Sequence, residues 1–413
     1  MKKIGIVGKC DKNFPSYLRE NYPEYELIAF HDYRESHVYP DFVQNIYVID
    51  AGSMDSVSES VTQLGVDFSD LVGLVNIYEN AVVAKNLLAN FFKLPGMSVE
   101  SALCATDKIA MRKAFLAADK RITPNFALVS SVEDLREFVF EYRFPLMLKP
   151  ANLSKSLLVT KATNFDDLVN EFNRAIDLVD QVYSKHGVFG KKPQFLVEEF
   201  MNGRVYSIDL VVEADGNCLI LPPVGLVTAD DCNIDDFYHY KRFLPCDLSA
   251  DEINEMNRVA IMGVKAMDLR STFAHVELMC NAGEVKIIEI GARNGGYRAK
   301  MYGKSYGVDF YKAILDLAMG NKVSWNPEFN SYSAVYELFP SALGVFDGIS
   351  NLDELKTLNS FVSINIPTKR GDQVGLARDG FKFAANVFLA NKDKAQFERD
   401  SLYVEENLKV RIS

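Results

Sequence analysis

The chain opens on a short apolar run, Ile4 to Val7 in KKIGIVG, closed by Gly8. EYELIAF (24–30), IYVID (46–50) and DLVGLVNIYEN (70–80) repeat the pattern as short segments rich in Val, Ile and Leu, which is how buried strands read. VVAKNLLANFF (82–92) carries its apolar residues at helical spacing. Strand and helix alternate through this part, which predicts an N-terminal doubly wound parallel sheet. The turn after the first strand is GKCDKN and not GxGxxG, so a Rossmann dinucleotide site gains no support.

Leu94-Pro95-Gly96 breaks the pattern. A helix is expected over 98–120, with Ser98 as N-cap and Asp107-Lys108 in its interior. ITPNFALV (122–129) enters a strand. SSVEDLREFVFEY (130–142) opens on a Ser-x-x-Glu or Ser-x-x-Asp box and continues as an amphipathic helix. PLMLKPA (145–151) reads as a buried strand and 164–184 as a long helix. QFLVEEFMNG (194–203) is a strand followed by a linker, and RVYSIDLVVEADGNCLI (204–220) alternates across a DG turn as a hairpin does. A helix is expected at 248–269. TFAHVELMCNAGEVKIIEIGARNGG (272–296) is two strands joined at Asn-Ala-Gly, then a glycine-rich loop. A helix at 308–320 stops at Gly320, and 321–413 holds short strands and a helix near 392–400.

Composition narrows the function classes. The 413 residues carry 45 Lys plus Arg against 56 Asp plus Glu, a net charge of −11, which argues against a nucleic-acid partner. No apolar run reaches the ~20 residues of a membrane helix, and Gly8-Lys9 interrupts any signal-peptide core, so a cytoplasmic protein is expected. Six cysteines lie scattered without a CxxC pair, the pattern of reduced thiols, and the five histidines form no HExxH.

The chemistry gathers at a few charged residues. Lys149 ends an apolar strand, where a buried ammonium is costly unless it meets an anion. Lys108, in DKIAMR, reads alone as a solvated helix residue, but with Lys149 it brackets a polyphosphate. Glu277 and Glu289 stand among Val, Leu and Ile on two strands joined by a tight turn. Facing one side, they would repel unless a hard divalent cation lay between them. Arg293 follows among the glycines of GARNGG, suited to a closely approaching anion. TADDCNIDDFYHYKR (228–242) is the least ordinary segment, and a solvated loop and a functional element are both compatible with it.

Taken in order, DKIAMRKAFLAADKRITPNF, FPLMLKPA, FLVEEFMNGRVYSIDLVV and FAHVELM–AGEVKIIEIGARNGG make the chain resemble the ATP-grasp superfamily, in its carboxylate–amine ligase branch. GVFDGISNLDEL and GDQVGLARDGFKFAANVFLANKD are similar to the C-terminal lid region of such ligases, shared with biotin-carboxylase-like enzymes. The resemblance implies an α/β chain of three parts: an N-terminal α/β domain (1–97), an ATP-grasp domain of two α+β subdomains (98–320) and a mixed α/β lid (321–413). It implies that ATP and Mg²⁺, or Mn²⁺ in its place, are bound. Lys108 and Lys149 would contact the phosphates, with Ser154, Lys155 and Ser156 donating from the loop after KPA. Glu198 would take the adenine amino group and the backbone at Glu199 and Met201 the ring edge. Glu277 and Glu289 would hold the metal, Arg293 would stabilise the transferring phosphoryl group, and His275 would serve in packing.

The implied activity is amide or peptide-like bond formation between a carboxylate and an amine, amino acids being one such class, through an acyl-phosphate. The chain would act without nucleic acid or membrane, and a homodimer is compatible with it. A bicarbonate-activating enzyme and an ATP-binding sensor without turnover are the alternatives. Three departures from the family pattern bear on the last. The loop NLSKSLLV lacks glycine, Val205 stands where a ribose-binding Glu is common, and Glu289-Ile290-Gly291 replaces E-x-N.

Overall fold

The computed structural model describes residues 1–10, 12–35, 37–43, 45–153, 156–186 and 192–413. Among these residues the strands form four sheets. The first holds β1 (Lys2–Val7), β2 (Tyr25–Asp32), β3 (Ile46–Ile49) and β4 (Leu71–Val75) in the order β3-β2-β1-β4. Every pairing is parallel, as the apolar runs predict. Period-two alternation divides its core. Ile4, Ile6, Leu27 and Ala29 pack with α1 (Asn13–Asn21), while Val7, Ile28 and Phe30 pack with α2 (Met54–Gln63) and α3 (Val82–Phe92).

The helix expected over 98–120 is two helices, α4 (Val99–Cys104) and α5 (Lys108–Ala118). Asp107 leaves the helical region (φ −139°) and its carboxylate accepts from the Ile109 and Ala110 amides, at 2.8 and 3.0 Å, capping α5. An aspartate that satisfies orphan amides starts a helix better than it continues one. Lys108 therefore sits at the first position of α5 and not inside a longer helix. Ser98 caps α4 as expected.

The second sheet, β5 (Phe126–Val129), β6 (Leu146–Pro150), β7 (Thr160–Ala162) and β8 (Phe195–Glu199), runs β5-β8-β6-β7. It is covered by α6 (Val132–Glu141), opened by the Ser131–Asp134 capping box, and α7 (Phe165–His186). Gly203 then leads into the largest sheet with φ +143°. A Cβ there would lie 2.3 Å from the Cys280 carbonyl oxygen, so only glycine fits.

That sheet begins with β9 (Arg204–Val212), β10 (Cys218–Ile220), β11 (Val224–Thr228) and β12 (His239–Leu244). After α8 (Ala250–Ala266) it continues with β13 (Thr272–Asn281) and β14 (Glu284–Gly291). Two helices, α9 (Arg298–Tyr306) and α10 (Phe310–Ala318), return the chain to the N-terminal sheet, where Phe310, Ala313 and Leu317 join the core under Ile4 and Ile6. The remaining elements are β15 (Tyr332–Leu338), β16 (Gly344–Ile349), α11 (Leu352–Thr357), β17 (Phe361–Asn365), β18 (Gln373–Val374), β19 (Ala385–Asn391), α12 (Lys394–Asn407) and β20 (Val410–Ile412).

The large sheet runs β14-β13-β9-β11-β12-β15-β19-β17, with β10 beside β9. It passes without interruption across residue 320, through the pairing of Lys241 to Leu244 with Tyr336 to Ser333. Strands β16, β18 and β20 form the fourth sheet. Segment 228–242 is no free loop. It supplies the end of β11 and the start of β12, and Asp236 and Tyr238 within it are buried. No disulfide joins the cysteines, and no helix among the described residues is long and apolar enough to cross a membrane.

Candidate active site

One face of the large sheet is apolar along its whole middle. Ile208, Leu210, Val276, Leu278 and Ile290 meet Met256, Val259 and Val264 of α8 and Phe115 of α5. The pleat sends the intervening residues to the other face, and there the sequence turns polar. Ser207, Glu277 and Glu289 stand directly opposite one another across β9, β13 and β14, and Asp209, His275 and Gly291 form the next row. Directly opposed strand residues have Cβ atoms about 5 Å apart, a separation at which two carboxylates repel. The two glutamates thus share one side of the sheet, the condition on which the sequence reading rested.

Register changes beside this pair. Leu278 faces Ile287 and Glu277 faces Glu289, so Ile288 is an extra, bulged residue immediately before Glu289. Arg112 of α5 fills the space beneath it, 2 % exposed. Its guanidinium donates to the Ile287 and Ile288 carbonyls at 2.8 Å each and to the Glu198 carboxylate at 2.6 and 3.2 Å. Glu198, wholly buried on β8, also pairs with the Lys149 ammonium of β6. Burial pushes the Glu198 carboxyl up, but the Arg112 and Lys149 charges overrule it and hold it at about 2. Burial pulls Lys149 down from its ordinary value, with Glu198 opposing. Two cations and one anion leave this buried trio with one positive charge in excess, which a phosphate would complement.

Lys108 lies four residues before Arg112, on the same side of α5. Its ammonium donates to the Leu153 carbonyl at 2.6 Å and pairs with Glu289 at 2.9 Å. Glu277 meets two histidines, His275 Nε2 at 3.4 Å and His239 Nδ1 at 3.8 Å. Burial favours the neutral carboxyl, but the two imidazoles outweigh it and hold Glu277 far below the usual range. Burial also disfavours the charged form of His275, whose value is nevertheless raised by Asp209, 3.0 Å from its Nδ1. His239 is lowered by burial. Asp209 further accepts the Gly295 amide at 2.7 Å and Arg298 Nε at 3.1 Å, and Arg298 reaches Ser207 Oγ at 2.7 Å. A Cβ on residue 295 would sit 2.5 Å from His275 Nδ1, so this loop must be glycine to close over Asp209.

Arg293 turns toward the N-terminal domain. Its Nε meets Glu79, in the turn that follows β4, at 2.8 Å. Burial raises the Glu79 carboxyl while Arg293 counters, and Glu289, Lys108 and His275 all lie close enough to contribute. Across the sheet Arg242 pairs with Glu337 at 3.2 Å, and Glu337 accepts the Tyr297 hydroxyl at 2.8 Å.

The structure therefore gathers Lys108, Lys149, Glu198, Glu277, Glu289 and Arg293 where the second sheet meets the β14-β13-β9 end of the large sheet, with Glu79 of the turn after β4 beside them. The Glu198 carboxylate, expected at an adenine amino group, is the counter-ion of Arg112 and Lys149 and has no exposed surface. The Glu199 carboxylate accepts the Asn125 amide and side chain at 3.2 and 2.8 Å, and Met201 lies in the linker between β8 and β9. Ser156 donates its hydroxyl to the Phe237 carbonyl at 2.9 Å. Ser154 and Lys155 lie outside the described residues. No group of three or more His, Cys, Asp or Glu residues suited to a metal forms among the described residues. Two opposed carboxylates are a fitting partial set for a hard cation that completes its shell with water and phosphate oxygens.

Sequence reading missed Arg112, Glu79, Asp209, His239 and Arg298. Arg112 left a signal, since it falls three residues after Ile109 and three before Phe115, on the apolar stripe of α5. Asp209 left another, as the acidic member of the alternating run RVYSIDLVV.

Residues 142–300 match the ATP-grasp domain family. The alanine–anticapsin ligase of Bacillus subtilis (strain 168) is 28% identical over 237 residues, 54% of this chain and 49% of that protein. A D-alanine–D-alanine ligase of Cupriavidus pinatubonensis is 24% identical over 293 residues, 68% of this chain and 84% of the ligase. The chain thus spans about half the length of the first of these relatives. The fold superposes on the L-amino acid ligase of Bacillus licheniformis with a TM-score of 0.82 at 19% identity, covering 100% of this chain and 99% of that one. Over residues 142–300, then, the chain is similar to the ATP-grasp domain family.

Proposed function

We propose that the protein is an ATP-dependent carboxylate–amine ligase that forms an amide or peptide-like bond. The observation that carries this reading is the buried Arg112–Glu198–Lys149 trio, one positive charge in excess, set beside the opposed Glu277 and Glu289. Lys149 and Lys108 hold the phosphates. Glu277 and Glu289 hold Mg²⁺, which when bound neutralises phosphate charge and orients the γ-phosphoryl group. A substrate carboxylate attacks that group, giving an acyl-phosphate and ADP. The amine then attacks the activated carbonyl and expels phosphate. Arg293, a planar fork next to this space, steadies the charge that develops on the transferring phosphoryl. Positioning and charge neutralisation supply most of the rate.

The relatives at 24–28% identity join amino acids by their names, which favours an amino-acid substrate on at least one side. The test is release of ADP and phosphate from MgATP with pairs of amino acids and other carboxylates and amines, products identified by mass. Amine-dependent turnover supports the ligase. Bicarbonate-dependent turnover without amine, or nucleotide binding without turnover under every pair, overturns it.

A further inference from the structure

Arg112 bonds neither Lys149 nor Glu289, yet it is bonded to the carboxylate that pairs with the one and to the backbone just before the other. Four of its donor contacts are made, two to consecutive carbonyls of the β14 bulge and two to Glu198. The bulge is one residue long and ends at Glu289, so the two carbonyls fix the peptide planes from which that side chain projects. On the other side, Glu198 must divide its charge between Arg112 and Lys149. Without Arg112 the Lys149–Glu198 pair would be neutral, and the excess positive charge facing a phosphate would be gone.

Only an arginine can do both. A lysine ammonium offers three donors from one point, whereas the guanidinium spreads five in a plane and reaches two carbonyls and a carboxylate at once. Replacing it leaves two bulge carbonyls and part of Glu198 unsatisfied in a buried place.

We infer that Arg112 is a positioning residue that couples the phosphate-binding lysine to the metal-bearing strand, so that divalent cation and nucleotide reinforce each other's binding. The inference rests on the reading of this junction as the MgATP site. It predicts a property separable from activity: the factor by which Mg²⁺ tightens binding of a non-hydrolysable ATP analogue. Calorimetric titration of the full chain with and without Mg²⁺, and Mn²⁺ titration followed by electron paramagnetic resonance, both read that factor. In Arg112→Lys it should fall at least fivefold relative to wild type, with the circular dichroism spectrum retained. The double variant Arg112→Met with Glu198→Met leaves Lys149 with the same single excess positive charge, so it removes the bond to the β14 bulge without removing that charge. It should lose the factor equally. An unchanged factor in either folded variant overturns the coupling. A wild-type protein that binds no nucleotide with or without Mg²⁺ would overturn the ligase reading instead, so the two failures are distinct.

Discussion

Two regions of the molecule bury a lysine, and they do so in opposite ways. Lys149, 6 % exposed on β6, faces a carboxylate that is shared with a second cation. Lys85, 4 % exposed on α3, donates its ammonium to the Asn86 amide oxygen at 3.4 Å, a neutral group at the limit of a hydrogen bond. Burial lowers both, and it brings Lys85 to about 8 with no charge to oppose it. A buried cation inside a network with positive charge in excess is poised for an anion. A buried cation beside an amide is a cost borne by the fold. Burial alone therefore does not mark a site; the company of the charge does.

The carboxylates proposed to hold the metal give the hardest test of this contrast. Glu289→Gln and Glu277→Gln keep shape and remove charge, and each should lower turnover about a hundredfold or more, since each deletes a hard-cation ligand. Steady-state ADP formation measures it, with circular dichroism as folding control, and near-wild-type rates in both would remove the site from this junction. Arg293→Lys comes next. It should keep MgATP affinity while lowering kcat by about tenfold or more, the pattern of a contact made chiefly in the transition state. An unchanged kcat would leave Arg293 as a structural partner of Glu79.

The two lysines then separate directly. Lys149→Met should weaken binding of an ATP analogue by about tenfold, more than Lys108→Met, because Lys108 is the better solvated of the two and also holds the Leu153 carbonyl. Lys85→Met should leave nucleotide binding untouched and raise stability. Its ammonium is depressed from 10.5 in the unfolded chain to about 8 in the folded one, so between those values the unfolded state binds more protons and wild-type stability rises with pH. Below pH 8 the full cost is present. At about 1.4 kcal/mol per pKa unit it amounts to a few kcal/mol. The variant should melt a few degrees higher at pH 7 and lose the rise between pH 8 and 10. A variant less stable than wild type would show that Lys85 has a partner that matters.

What the sequence disclosed follows the same division. Apolar runs and period-two alternation located the parallel sheet and the β13–β14 hairpin, because burial writes itself into neighbouring residues. The pairing of Glu277 with Glu289 was legible only in part: the tight turn joins their strands, but regular pairing would set Glu277 opposite Ile288, and the bulge there brings Glu289 opposite it. The partners of charges were not legible. Lys108 with Glu289, Arg293 with Glu79 and Arg112 with the β14 bulge join residues between 175 and 214 positions apart or in separate layers. Nothing local announces them. The missed helix α9 has a similar cause. Its sequence, RAKMYGKSY, is short and carries Gly303 in its interior, and it is started by Tyr297 in the left-handed region (φ +65°) after two glycines.

The path of the large sheet sets how this molecule can move. A hydrogen-bonded sheet transmits displacement along its strands and resists shear between them. The β13–β14 hairpin at one end and β15, β19 and β17 at the other are therefore one plate. The four strands β5-β8-β6-β7 share no ladder with that plate and reach it along the chain through residues 200–203, ending at a glycine that no larger residue can replace. Arg112 spans the gap from the side, bonded to Glu198 on the small sheet and to β14 on the large one. Arg112 is thus a cross-tie between the two sheets on the Lys149 side, while Arg174 with Asp379 ties the helix over the small sheet to the C-terminal segment.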